Sequence, residues 1–178
     1  MIDVNVNVNL TSNHLPASCS SMPTPSANHH PKPGAALSAA QEAVVCESFA
    51  RQGLMRHWGA LITALAHGAA ELRLPHSELV TQQQGSFHGG AMGALADVAG
   101  GYAAMTVAPE GMEVTTVEYK INFLAACSGG ELVARGRVIR AGKRIIVTTA
   151  DVFHRDARGH ETHCAAMQQT IVPVPKTY

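Results

Sequence analysis

Asp97 is the one charged residue between His88 and Glu110. Its neighbours, Ala91-Met92-Gly93-Ala94-Leu95-Ala96 and Val98-Ala99-Gly100-Gly101-Tyr102-Ala103-Ala104-Met105, are apolar or small on every side. A carboxylate in that setting is costly to bury unless it has a partner or a task. It can accept hydrogen bonds from a strand hydroxyl or backbone amide for structure, or act as a general base or nucleophile. Upstream, Gln82-Gln83-Gln84-Gly85-Ser86-Phe87-His88-Gly89-Gly90 leads into the same apolar run. If the run is a helix, its first amides lack intrahelical acceptors and sit at the positive end of the dipole. Glycines at 89 and 90 let a carbonyl approach those N–H groups, as in an oxyanion hole, although a Gly-Gly turn chosen for conformation has the same residues.

The spacing adds a constraint. Gly89 and Asp97 are eight residues apart, about 12 Å along a helix axis at 1.5 Å per residue. One carbonyl cannot touch both in the same chain. The two act on one substrate only if two copies of the helix lie antiparallel, with Asp97 of one beside Gly89 of the other. A two-fold dimer does this and creates two equivalent sites.

Arg135-Gly-Arg137-Val-Ile-Arg140-Ala-Gly-Lys143-Arg144 holds five of the thirteen basic residues in ten positions, with no acid among them. Such a stretch is either the solvated face of a hairpin or a cradle for the phosphates of a nucleotide-bearing substrate. Other constellations exclude themselves. Cys19, Cys46, Cys127 and Cys164 form no CxxC pair and read as free thiols in a reducing cytoplasm. His160 and His163 alternate onto opposite faces of a strand, so they form no three-histidine metal site with His154.

These residues need elements to position them. Ser38-Ala-Ala-Gln41 is a capping-box signature, and Val44, Val45 and Phe49 follow at helical spacing, predicting a helix to about Gln52. Ala60–Ala66 and Ala69–Leu74 predict a hairpin around His67-Gly68. Gly89–Pro109, apolar all round, predicts a helix buried on every side. Val114–Leu124 alternates: Thr115, Val117, Tyr119, Ile121 and Phe123 share one face, and Thr116, Glu118, Lys120 and Asn122 the other. Glu131–Arg140 and Arg144–Phe153 flank a turn at Ala141-Gly142-Lys143. A turn at Asp156–Gly159 leads to His160–Val172, with Pro173 and Pro175 ending that strand. The fold class is α+β: one antiparallel sheet curling around one apolar helix, followed by a meander of long strands.

Length and composition fit that picture. The chain has 178 residues, 13 basic and 13 acidic, with 46% hydrophobic and 15% charged residues. Zero net charge argues against a body-wide nucleic-acid or membrane-surface role. No apolar run reaches the roughly 18 residues of a membrane span. Low charge with high apolar content suits a subunit interface as well as a core. Residues 1–37 are rich in Ser, Pro, Asn and His, have no signal-peptide pattern and read as a disordered tail. The domain is expected over 38–175, in the cytoplasm.

Thr81–Gly90, the nine-residue step from His88 to Asp97, Gly101-Tyr102-Ala103-Ala104 and Glu118-Tyr-Lys120-Ile-Asn122-Phe-Leu124 together resemble the hotdog-fold acyl-CoA thioesterases of the phenylacetate-degradation (PaaI-like) branch. Arg140-Ala-Gly142-Lys143-Arg144 and Gln168-Gln169-Thr170 extend the likeness, which covers about residues 46–174. The resemblance implies a long helix wrapped by a curved antiparallel sheet, and a homodimer or dimer of dimers. It implies hydrolysis of an acyl-CoA to CoA and a free acid. Asp97 then attacks the thioester or activates water, and the Gly89 amide polarises the carbonyl. His88 orients that turn, Gln82 lies near the attacking water, and Thr116 assists it. Gly90, Asn122, Arg140, Lys143 and Arg144 become candidate contacts to CoA. No metal and no cofactor beyond the CoA of the substrate is expected, nor a nucleic-acid or membrane partner. Two rivals stand beside hydrolysis: a non-catalytic acyl-CoA sensor, and a hotdog hydroxyacyl dehydratase, which would need a histidine base inside the acyl tunnel.

Overall fold

The structure, a computed structural model, describes residues 34–177. The proposed tail, apart from residues 34–37, lies outside the described residues, as does Cys19.

Helix α1 (Ala39–Ala50) begins as its capping box demands: Gln41 N–H donates to Ser38 Oγ at 3.3 Å, and Ser38 N–H to Gln41 Oε1 at 3.1 Å. It stops two residues before the expected end, and a second short helix, α2 (Gly53–Trp58), follows. Six residues are too few to reveal a periodic stripe, so α2 was not legible. Fully buried Met55 anchors it, and Gly59 closes it at φ +73°, in the left-handed region that glycine enters without penalty.

Strands β1 (Leu61–Ala66) and β2 (Ala69–Pro75) form the predicted hairpin. Helix α3 (Gly89–Met105) is buried along most of its length. Strands β3 (Met112–Phe123), β4 (Glu131–Ala141), β5 (Ile146–Arg155) and β6 (Glu161–Pro175) complete one antiparallel six-stranded sheet, ordered β1-β2-β4-β5-β6-β3. It wraps α3, which packs against β2 through β6. This is the α+β layout that the resemblance implies. The meander is interrupted, however: β4-β5-β6 run in series, but β3 crosses to the far edge and pairs with β6. Helix and sheet approach closely at Gly136, where a Cβ would run into the Ala99 carbonyl.

Two further details differ from the sequence reading. The β3–β6 register shifts between Thr116 and Glu118, so Val117 is a bulge and the alternation inverts there. Val114, Thr116 and Ile121 turn toward the interior, whereas Thr115 and Val117 are exposed. Pro173 does not end β6, which continues to Pro175. Beyond Ile171 its only ladder partner is β3, and a residue without an N–H is tolerated where one side of a strand is unpaired.

The sheet surface away from α3 carries an ion-pair network. Arg135 donates to Glu71 at 2.9 Å and to both Glu161 oxygens at 2.8 Å, and Arg155 bridges Glu161 and Glu131. Hydrogen bonds from Arg135 hold the Glu161 carboxyl down at about 2, against partial desolvation that pushes it up. A depressed carboxylate adds stability that is complete above its unfolded value, near 4.5, and lost as pH falls toward the folded one. The wild-type melting temperature should therefore drop more steeply than that of Glu161→Gln between pH 4.5 and 2, as calorimetry at stepped pH would show; parallel curves would contradict the coupling.

Candidate active site

Asp97 sits mid-way along α3, half-buried, and faces β3 and β6. The Thr116 hydroxyl donates to its Oδ1 at 2.7 Å, and Gln169 Nε2 donates to the same oxygen at 2.9 Å. Gln169 Nε2 also reaches the Asp97 carbonyl at 3.2 Å. No cation pairs with this carboxylate, and Oδ2 has no hydrogen-bond donor, among the described residues. The β3 bulge makes this arrangement possible. Unbroken alternation would have turned Thr116 away from the helix.

Asp97 opens on a cleft of about 570 Å³ between α1, α3 and the start of β3. Asp97, Gly101 and Met105, four residues apart in turn, line one wall, opposite Val114 and Thr116. At the other end Tyr102 Oη accepts from Gln52 Nε2 at 3.1 Å and lies 3.3 Å from Ser48 Oγ, tying α1 over the cleft.

The amino end of α3 is built differently. His88 is the N-cap, and its Nδ1 accepts the Gly90 N–H at 2.8 Å. The loop before it is pinned by Phe87 N–H to Cys127 O and His88 N–H to Val80 O. Gln82 is spent within that loop: its Oε1 accepts Gln84 N–H and its Nε2 reaches Gln84 Oε1. The ring thus consumes the Gly90 amide, and the Gly89 N–H is left with no acceptor among the described residues. The Phe123 ring lies over Gly89, with Cζ 3.2 Å from where a Cβ would stand. Gly89 does not line the Asp97 cleft. A single chain therefore keeps the acid and the free amide apart, as their spacing requires.

The remaining candidates lie on the surface. Asn122 Oδ1 accepts from Lys120 Nζ at 2.8 Å. Arg140, Lys143 and Arg144 are exposed at the β4–β5 turn and form no ion pair among the described residues, whereas Arg135 belongs to the network above. Ala141, Ile146, Ile171 and Thr116 stand in one register row. Three strand spacings, about 14 Å, thus separate the basic turn from Thr116. No cluster of three or more His, Cys, Asp or Glu suited to a metal occurs among the described residues, and none of their helices is long and apolar enough to cross a membrane.

Gln169 is the residue whose contact with Asp97 the sequence reading did not foresee. A signal was present. Gln169 shares strand parity with Met167 and Ile171, both buried, so its carboxamide had to point inward.

Residues 84–159 match the family described as the thioesterase superfamily. A solved thioesterase family protein from Silicibacter pomeroyi is 35% identical, superposes with a TM-score of 0.73, and is matched over 76% of this chain and 99% of its own. A Saccharolobus solfataricus protein named provisionally as an esterase is 37% identical over 95 residues, 53% of this chain and 66% of that one. The Escherichia coli PaaI protein from the phenylacetic acid degradation operon shares the fold, with a TM-score of 0.69 at 20% identity over 80% of this chain and 99% of its own.

The His88 ring replaces the hydroxyl or carboxylate of an ordinary N-cap. His88→Ala should lower unfolding free energy by about 1 kcal/mol, and His88→Asn should restore most of it. Urea titration would check this, and an unaffected His88→Ala protein would count against the cap.

Proposed function

Because the chain belongs to the thioesterase superfamily, we propose that it hydrolyses an acyl-CoA to CoA and a carboxylic acid. The supporting observation is Asp97 itself. It is a carboxylate held by two neutral donors at one oxygen, with no ion pair among the described residues, on a cleft that Arg51 also lines. In this reading Asp97 takes a proton from water as the water oxygen attacks the thioester carbon. The carbonyl oxygen becomes an oxyanion stabilised by the Gly89 N–H at the positive end of α3. Collapse breaks the C–S bond, and the thiolate leaves with the proton. Direct attack by Asp97 would instead pass through an acyl-aspartyl anhydride. A single turnover in ¹⁸O-water can reveal that route, because label found in Asp97 marks opening of the anhydride at the aspartyl carbon, which base catalysis cannot produce.

The acid and the amide belong to different copies of the chain. β3 is the sheet edge next to the site, and Val117, Tyr119 and Phe123 along it, with Leu124 just past its end, are about half exposed. An apolar edge strand is a template for pairing. Thr116, which holds Asp97, and Phe123, which covers Gly89, are seven residues apart on that edge. Antiparallel self-pairing about the midpoint between them sets Thr116 of one protomer opposite Phe123 of its partner. Each Asp97 is thereby carried toward the partner's free amide, completing two equivalent sites in a homodimer. The exposed basic turn at Arg140, Lys143 and Arg144 is the candidate partner of the CoA phosphates.

Thiol release from an acyl-CoA panel tests the reaction, with Asp97→Asn expected to lower kcat by about 10²- to 10⁴-fold. Wild-type binding without turnover would favour a sensor. Subunit mixing tests the shared site. Gly89 is the first helical residue and the His88 backbone (φ −68°, ψ 135°) suits a following proline, so the variant requires only that the Phe123 ring, 3.2 Å from the new Cβ, shift aside, which its thermal midpoint checks. Equal mixing of Asp97→Asn and Gly89→Pro chains should restore about a quarter of wild-type activity, one intact site in half of the dimers. No recovery in verified heterodimers would refute sharing.

A further inference from the structure

We propose that Gln169 is a positioning residue for Asp97, that it selects Oδ2 as the reacting oxygen, and that residue 100 is glycine to admit it. The proposal rests on the reading of Asp97 given above. Gln169 is 1% exposed and lies on β6 between Tyr119 of β3 and Thr148 of β5. Its carboxamide turns toward α3 and spends Nε2 on Asp97, at Oδ1 and at the backbone carbonyl. Thr116 donates to the same Oδ1. Two donors on one oxygen fix the plane of the carboxylate and leave the other oxygen as its unencumbered base. An ionised carboxylate only accepts, so the amide group facing it must be the NH₂.

Three features argue that this contact exists for Asp97 and not for packing. First, Gln169 Oε1 is buried with no hydrogen-bond partner among the described residues. A buried amide with one end unsatisfied is costly, and an apolar side chain of equal volume would fill the space without that cost. Second, the donor is neutral. Lysine or arginine at 169 would ion-pair with Asp97 and weaken it as a base, whereas an amide orients the carboxylate and leaves its charge intact. Third, the helix makes room. Gly100 lies one turn after Asp97, and a Cβ there would overlap the Gln169 carboxamide and come 2.9 Å from Thr148 Oγ1. At this close approach any side chain at 100 must displace the group that reaches Asp97.

Gln169→Met keeps the length and volume while removing the donor. With an acyl-CoA that the wild-type chain turns over, it should lower kcat about 10- to 100-fold and leave KM within about twofold. Gly100→Ala should produce a loss of similar size by displacing the same carboxamide. Gln169→Ala removes the closer obstruction to the added methyl and leaves Thr148 Oγ1 at 2.9 Å, so Gly100→Ala should cost less in the Gln169→Ala background than in wild type. Folding of each variant is checked by its thermal midpoint. If wild type releases thiol and Asp97→Asn does not, then wild-type kcat in Gln169→Met, a raised KM at unchanged kcat, or multiplying losses in the double variant would overturn this proposal alone. A readout independent of turnover is the Gln169 side-chain amide in a ¹⁵N–¹H spectrum of the full chain. Slow exchange and a shift that moves on Asp97→Ala are expected. A fast-exchanging amide that Asp97→Ala leaves unmoved would overturn the proposal even if thiol release were absent and the hydrolase reading had failed.

Discussion

An anionic side chain inside an apolar helix has to be solvated by something, and here that role falls to two strands. Asp97 receives a hydroxyl from β3 and an amide from β6, both uncharged, at one oxygen. A basic partner would solvate the carboxylate more strongly but would quench it as a base. Much of the surrounding architecture follows from supplying neutral donors. β3 must lie next to β6, although the other five strands are consecutive antiparallel partners in two groups, β1-β2 and β4-β5-β6. A bulge at Val117 must rotate Thr116 inward, and Gly100 must leave space for a carboxamide. The crossing of β3 to the far edge of the sheet is thus tied to the solvation of one side chain.

The second constraint is length. Helical rise sets the acid and the amino-terminal amide of α3 about 12 Å apart, and no rearrangement of a single rigid helix brings them together. The N-terminal turn nevertheless keeps one donor unspent. His88 occupies the Gly90 amide and leaves that of Gly89 without an acceptor among the described residues. Phe123 covers that turn, and Thr116 holds the acid seven residues away on the same edge strand. The residue that holds the acid and the residue that covers the turn are thus seven positions apart on an edge strand of the sheet.

Local chemistry was legible where the signal was short-range. The Ser38/Gln41 box, the Gly68 turn, the Asp156–Gly159 turn and the all-round apolar character of α3 each gave an element near its observed place. Reading failed where a neighbour decided. α2 exists because Met55 finds a fully buried position, not because six residues carry a helical stripe. β6 runs through Pro173 because only β3 flanks it there. Thr115 and Thr116 exchange faces because the β3–β6 ladder takes up one extra residue, and nothing in Val114-Thr-Thr-Val117 announces that insertion.

The sequence by itself determined that one isolated acid sits deep in an apolar helix, and that a glycine turn lies too far along the same helix to serve it. Both facts are set by residue identity and by a fixed rise per residue. Only the tertiary structure decided which oxygen of that acid is held and what holds it. Gln169 is 72 residues from Asp97 along the chain, and its carboxamide reaches the helix only once strand order, a bulge and a missing Cβ have brought them together. Such contacts depend on register between distant segments, and periodicity within either segment carries no trace of it.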